Sequence, residues 1–299
     1  MSDSPEQTLA PGTNETGNRD EAPRHRIEIK PSSRWGLPDG GELWRYRELL
    51  WMLILRDLKV RYKQTVLGLL WTIIQPLALM TIFTLFLGRY IQPADSSVPY
   101  YLFVLTGLVM WQFFARSLTD ASTSLVVNER VVTKVYFPRI LVPTSVILAG
   151  LPDFLIASLI LGCFLIGSGL WPGLLILFAP LFVILTFVAA MGVGLWLSAL
   201  DVNYRDVRYT LSFLTQLWMF ASPIVYPAEA VQEKWGLPGT VLYGMNPIAG
   251  AIEGFRWTIF TDGPFPMALV VMSSLVTCLL FISGMYYFQQ MQRTLADHL

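Results

Sequence analysis

Few residues in this chain are placed to do covalent chemistry. His25 and His298 are the only histidines, one near each terminus, and Cys163 and Cys278 both fall inside apolar runs. A histidine-based metal or acid–base centre inside a membrane is therefore excluded, and the thiols read as small packing residues rather than a disulfide or metal site. The carboxylates are scattered. What does recur at a meaningful spacing is charge. Arg45, Glu48, Arg56, Lys59 and Lys63 fall on one stripe at helical period, with Arg61 beside them, while Leu50, Ile54 and Leu58 form a second stripe. The chemistry open to such a segment is electrostatic. It predicts an amphipathic interface helix over 41–64, lying on a membrane surface. A plain charged anchor is the simpler alternative.

Immediately after it, 66–88 is free of charge over about 23 residues, enough to cross roughly 30 Å of hydrocarbon. The composition agrees. Apolar residues make up 54% of the chain and charged ones 14%, which excludes an ordinary soluble domain. The formal net charge of zero gives a nucleic-acid partner no electrostatic support. Residues 1–40 form a polar tail with no apolar periodicity, expected to be disordered, and 291–299 form a second tail. The first tail lacks the apolar core of a signal peptide, so the first span is expected to serve as the insertion signal.

The fold class predicted is an all-α polytopic membrane protein with a transmembrane domain over 65–290. Six spans fit, near 66–88, 100–118, 140–166, 174–199, 210–226 and 267–288. Thirteen basic residues against three fall on the side that receives both termini, which predicts an N-in, C-in topology. Pro143, Pro152 and Asp153 interrupt the third span. The prolines predict a kink, and Asp153 must face the bundle or an interface, because a midplane aspartate costs about 2.5–3.5 kcal/mol. Gln75-Pro76 and Ser222-Pro223 pose the same choice between a kink and the lining of a polar path. The segment 227–266 is too apolar for a free loop. With Asn246-Pro247 as a helix start and Gly263-Pro264 as a stop, it predicts short re-entrant half-helices between spans five and six.

Four stretches follow in order: RDLKVRYKQTVLGLLWTIIQP at 56–76, KVYFPRILVP at 134–143, NYRDVRY at 203–209 and MNPIAGAIEGFRW at 245–257. Together they resemble the permease subunit of ABC-2 type polysaccharide exporters, which move O-antigen, capsule or teichoic-acid chains, over about residues 42–290. The resemblance implies a multi-pass protein of the inner (cytoplasmic) membrane and a homodimer enclosing a channel for a lipid-linked polysaccharide, in contact with membrane lipid. It also implies two separate ATP-binding-cassette subunits, which bind ATP and Mg, and no cofactor or catalytic residue in this chain. Consistently, the sequence has no Gly-Lys dipeptide and so no phosphate-binding loop of the GxxxxGK[ST] kind.

By the same resemblance Asn128, Glu129, Arg130, Lys134, Tyr136, Pro138 and Arg139 lie in the segment that docks on the ATPase, with Arg205 and Asp206 in a second such turn. Read locally, both are also charged turns that fix topology, with Arg205 and Asp206 as helix-end charges. Asn246, Pro247, Glu253 and Arg256 fall in the outward gate region, where Glu253 and Arg256, one turn apart, are placed to neutralise each other. Trp71, Gln75, Phe83, Phe86, Phe213, Trp218, Phe220 and Tyr226 are the expected polymer path. Aromatic faces stack on sugars without a fixed hydrogen-bond pattern, though each ring also reads as packing or an interface anchor. The rival readings are an ABC-2 permease for a small lipid or drug, a membrane enzyme acting on a polyprenyl-linked sugar, and a passive channel.

Overall fold

The computed structural model describes residues 40–63, 68–91, 98–204, 206–261 and 263–291, and among them every regular element is helical. Apart from Gly40 in the first helix and Met291 in the last, the expected tails lie outside the described residues, as does Arg205. In chain order the helices are α1 (Gly40–Arg45), α2 (Arg47–Lys63), α3 (Gly68–Ile91), α4 (Tyr100–Val127), α5 (Glu129–Lys134), α6 (Leu141–Leu148) and α7 (Leu151–Gly167). A 3-10 turn at Leu174–Phe178 leads into α8 (Ala179–Asn203), followed by α9 (Asp206–Phe220), α10 (Glu229–Tyr243), α11 (Ala249–Phe260) and α12 (Met267–Met291).

Among the described residues, five helical runs are long and apolar enough to cross a membrane: 70–91, 100–127, 141–167, 174–203 and 267–291. They coincide with five of the six expected spans. The remaining one, 210–226, is realised as α9, which ends at Phe220 after 15 residues and so reaches only about 22 Å. The chain then folds into a tight turn, with Ile224 N–H donating to Ser222 O at 2.7 Å, because Pro223 has no N–H to continue the helix. The second span, by contrast, outruns its apolar stretch. The polar residues after 118 stay helical because Thr119, Ser122 and Ser124 return their hydroxyls to carbonyls one turn back and the helix is enclosed by others. The third span crosses in two pieces. α6 stops at Leu148, and α7 restarts with Pro152 in its first turn, where a missing N–H does no harm.

The expected single interface helix is divided at Tyr46 into α1 and α2. α2 turns Leu53 and Ile54 inward, with Leu50 and Leu58 half-buried beside them. Arg56 is half-buried and pairs with Asp57 at 2.7 Å, while Arg45, Glu48, Lys59 and Lys63 are exposed. Cys163 and Cys278 are exposed rather than packed inside, a correction to the expectation from their apolar surroundings.

α4 is the centre of the bundle, with Leu102, Leu105, Leu108, Phe114, Leu118 and Leu125 completely enclosed, and it packs on α3, α6, α7, α8, α9 and α11. In lipid no hydrophobic force draws helices together, so close approach and dispersion must do it. α8 supplies the small residues. A Cβ on Gly192 would lie 2.7 Å from Phe281 N of α12, one on Gly194 would lie 2.9 Å from Ala121 Cβ of α4, and Gly284 of α12 faces the Gly192 carbonyl. Beside that crossing Trp196 stacks on Tyr287, centroids 4.2 Å apart, and donates to Ser283 at 3.1 Å. Gly284→Leu should force α12 off α8 and destabilise the protein by about 1–3 kcal/mol or more. Thermal unfolding in detergent measures the loss, and an unaltered midpoint would show that the two backbones do not touch.

Candidate functional site

At one end of the bundle α2 reaches across to three other helices. Arg61, which belongs to neither sequence stripe, points inward. Its Nη1 donates to Asp153 Oδ2 at 2.9 Å and to Ala149 O at 3.1 Å, and its Nη2 donates to Asp120 Oδ2 at 2.5 Å. Arg116, one turn before Asp120 on α4, adds a contact to Asp153 Oδ2 at 3.1 Å. Tyr62 donates to Asp153 Oδ1, and the Thr72 hydroxyl reaches the same oxygen at 3.3 Å. Asp153 thus sits in the first turn of α7, surrounded by donors, which answers how an aspartate is tolerated in an apolar run. Burial, reinforced by the hydrogen bond to Asp153 and its charge, pushes the Tyr62 phenol up to about 12. Of this group only Arg61 and Asp153 stood out in the sequence. The signal that would have found the rest is that an aspartate in a span requires a cation nearby, and Arg116 lies on the preceding span.

The opposite end carries α10 and α11. α10 kinks at Gly236, whose φ of 64° a side chain would resist, with Pro238 two residues on. Arg256 on α11 is buried and donates to Glu253 Oε1 at 3.0 Å, to Phe103 O of α4 at 3.1 and 3.2 Å, and to Ile224 O in the turn after α9 at 3.0 Å. Its guanidinium lies over the Phe103 ring, 3.6 Å from the centroid, and a side chain at Gly107 would meet Nη2 at 2.5 Å. Glu253 also accepts from Ala228 N–H at 3.1 Å. The pair is an internal bolt that joins α4, α11 and the turn 221–228, with no free edge for a ligand. Asn246 does not cap the next helix, which starts at Ala249 with Ile248 as its N-cap; its side chain accepts from Ile248 N–H at 3.3 Å in the turn before it. It also ties in α9, accepting from Trp218 Nε1 at 2.9 Å and donating to Ser222 Oγ at 2.9 Å. Pro247 O is held by Ser273 of α12 at 2.8 Å.

The segment 128–139 stands on buried props. Val132, Phe137 and Ile140 are in the core, so α5 and the bend after it are held firmly while Glu129, Arg130, Lys134 and Tyr136 are exposed. Asn128 is occupied in closing α4, its amide donating to Ser124 O at 2.8 Å. Pro138 and Arg139 are half-buried, and their carbonyls accept from Leu141 and Val142 at the start of α6. In the second turn Asp206 is exposed in the first turn of α9. The organising contact there is one the sequence did not single out: Arg208 Nε donates to both oxygens of the enclosed Asp201 carboxylate at 2.9 Å.

The aromatic set divides. Phe83 is buried, edge-on to Phe220 at 6.2 Å, and Trp218 packs edge-on to Phe114 at 5.2 Å, so these two belong to the core. Trp71, Phe86, Phe213 and Phe220 are exposed on α3 and α9, together with the amides of Gln75 and Gln216. Tyr226 is half-buried and donates to Phe220 O at 3.1 Å.

Two measurements check this geometry. Arg256→Met should cost about 3–5 kcal/mol, because it strands the buried Glu253 carboxylate, and Glu253→Gln added to it should recover part of the loss; detergent unfolding of the three proteins tests the order. The raised Tyr62 phenol contributes stability that is whole below pH 10 and lost as pH climbs toward 12. A spectrophotometric titration should therefore show one fewer late-ionising phenol in Tyr62→Phe than in the native protein.

Residues 48–260, which enclose all four sequence motifs, match the ABC-2 type transporter family. The O-antigen export system permease protein RfbA of Myxococcus xanthus is 29% identical over 235 residues, covering 78% of this chain and 87% of that protein. A Klebsiella pneumoniae protein of the same name is 30% identical over 253 residues, covering 84% of this chain and 94% of its own length. A second K. pneumoniae relative, also so named, is 29% identical over the same length. The chain belongs to the ABC-2 type transporter family.

Proposed function

We propose that this chain is the permease of an ATP-driven exporter that moves a lipid-linked polysaccharide across the inner membrane, working as a homodimer with two separate ATP-binding-cassette chains. The observation that carries this reading is the near end-to-end likeness to relatives named as O-antigen export permeases. The chain itself is a conduit and performs no covalent step. ATP and Mg belong to the partner.

The geometry is suited to that role. The exposed faces of α3 and α9 mix rings with Gln75, Ser212 and Gln216. Amide groups facing lipid would have no partner, whereas the same faces turned toward a second copy and an aqueous path offer sugar-stacking rings between adaptable hydrogen-bonding groups. The membrane-length helices, with α9 as a shorter sixth, leave both termini on the basic, cytoplasmic side. There α5 presents Glu129, Arg130, Lys134 and Tyr136 on a braced support, a fair surface for a small protein contact. Closure of the partner dimer on ATP would push α5 and α2, shift the spans and let the polymer advance. At the other end α10 and α11 would close the path as re-entrant half-helices, held by the Glu253–Arg256 bolt.

Deletion of 128–136 is the decisive experiment. Copurification of the ATPase and surface polysaccharide should be lost together, while an intact complex would refute the docking surface. In vesicles containing the full complex, ATP-dependent export of polymer but not of a small lipid is expected. Export of the small lipid alone would favour the rival permease, and flux without nucleotide a passive channel.

A further inference from the structure

The third span is broken between α6 and α7, and a single turn of α2 touches both pieces and the joint between them. Ser145 of α6 donates to Asp57 Oδ2 at 3.1 Å. Four residues along α2, Arg61 donates to Ala149 O, a carbonyl of the joint itself, and to Asp153 at the start of α7. Tyr62 holds the other oxygen of the same carboxylate. The joint rests on α4: a Cβ on Gly150 would stand 3.7 Å from both Phe113 and Ser117.

Neutralising Asp153 does not require this arrangement. Arg116 reaches Asp153 Oδ2 at 3.1 Å from α4, enough to satisfy one charge. Arg61 adds a fork that takes Asp153 with one nitrogen and Asp120 with the other, so that α2, α4 and α7 share one guanidinium. Charge-assisted hydrogen bonds to shielded carboxylates are among the strongest non-covalent links available between helices. Displacement of α2 must therefore either break its links to Asp153 and Ala149, or carry α7 along and give up only the Arg61–Asp120 and Arg116–Asp153 contacts with α4. The second is easier, because the break at 149–150 leaves α7 hinged to α6 without an unbroken helical ladder to bend.

We propose that Arg61 is a positioning residue, the strap by which displacement of α2 is passed to the joint in the third span. The proposal rests on the reading above that a motor chain pushes α2, and it adds the route by which that push enters the bundle.

The test uses vesicles with the full complex and its ATPase, and reads polymer exported per ATP hydrolysed. Arg61→Gln should lower that ratio about tenfold while the ATPase still copurifies and hydrolyses ATP. Arg61→Lys, which keeps the charge but loses the fork, should fall between. An unchanged ratio in Arg61→Gln overturns the strap. If Arg61→Gln does not assemble, Arg61→Lys carries the test, and an unchanged ratio in it overturns the strap equally. A merely structural role would leave a second readout unmoved. Spin labels at the exposed positions Lys59 of α2 and Leu159 of α7 should keep a constant separation on ATP binding in the native complex and move apart in Arg61→Gln. Labels that part in the native complex refute the proposal. Should the native complex export no polymer, the function reading fails and the label separation alone decides the strap.

Discussion

Hydrocarbon offers no partner to a polar group, so each charge drawn inside this bundle has to be answered by the protein itself. Much of the architecture follows from that requirement. Asp153 is answered by Arg61, Arg116, Tyr62 and Thr72, Arg256 by Glu253 and two backbone carbonyls, and Asp201 by Arg208. The carbonyls that Arg256 takes up are themselves informative. Ile224 O lies in the turn beyond α9, where helical pairing has ceased, so the arginine repairs a deficit created by Pro223. The buried side-chain atoms without a partner among the described residues, on Thr84, Gln112, Ser117, Ser158 and Ser198, are all neutral. The protein tolerates an idle hydroxyl and not an idle charge.

α4 carries the load between the two ends. Near its start Phe103 receives Arg256, and near its end Arg116 and Asp120 join Arg61 and Asp153. Between them the helix is buried on most sides, against an α8 whose glycines bring the backbones close. A rod clamped at both ends and stripped of lipid contact is the natural fixed element. The spans of α3 and α12 are the most exposed of those around it.

Much of this was legible in the sequence because charge-free runs of membrane length have few alternatives. Five spans and the break near Pro152 follow from hydropathy and proline alone. α9 escaped because a hydropathy window sums residues on both sides of Ser222-Pro223 and cannot see where the chain turns. The extension of α4 escaped for the opposite reason: Thr119, Ser122 and Ser124 look like a loop yet satisfy themselves on the helix they belong to. Spacing correctly paired Glu253 with Arg256, but the carbonyl of Phe103 lies 153 residues from Arg256 and no local pattern announces it. Arg61 was grouped with its charged neighbours although its partners lie 59 and 92 residues further along. Phe83 and Trp218 had the same local surroundings as Phe86 and Phe213, and only tertiary packing separates core ring from exposed ring.

The three charged clusters share a further property. Two arginines balance two aspartates around Asp153, one arginine balances one glutamate at Glu253, and one balances one aspartate at Asp201. Moving a lone elementary charge through a membrane potential of 100 mV is worth about 2.3 kcal/mol, but a group with no net charge gains nothing from the field. A shift that keeps each cluster whole therefore carries no net charge of that cluster through the field.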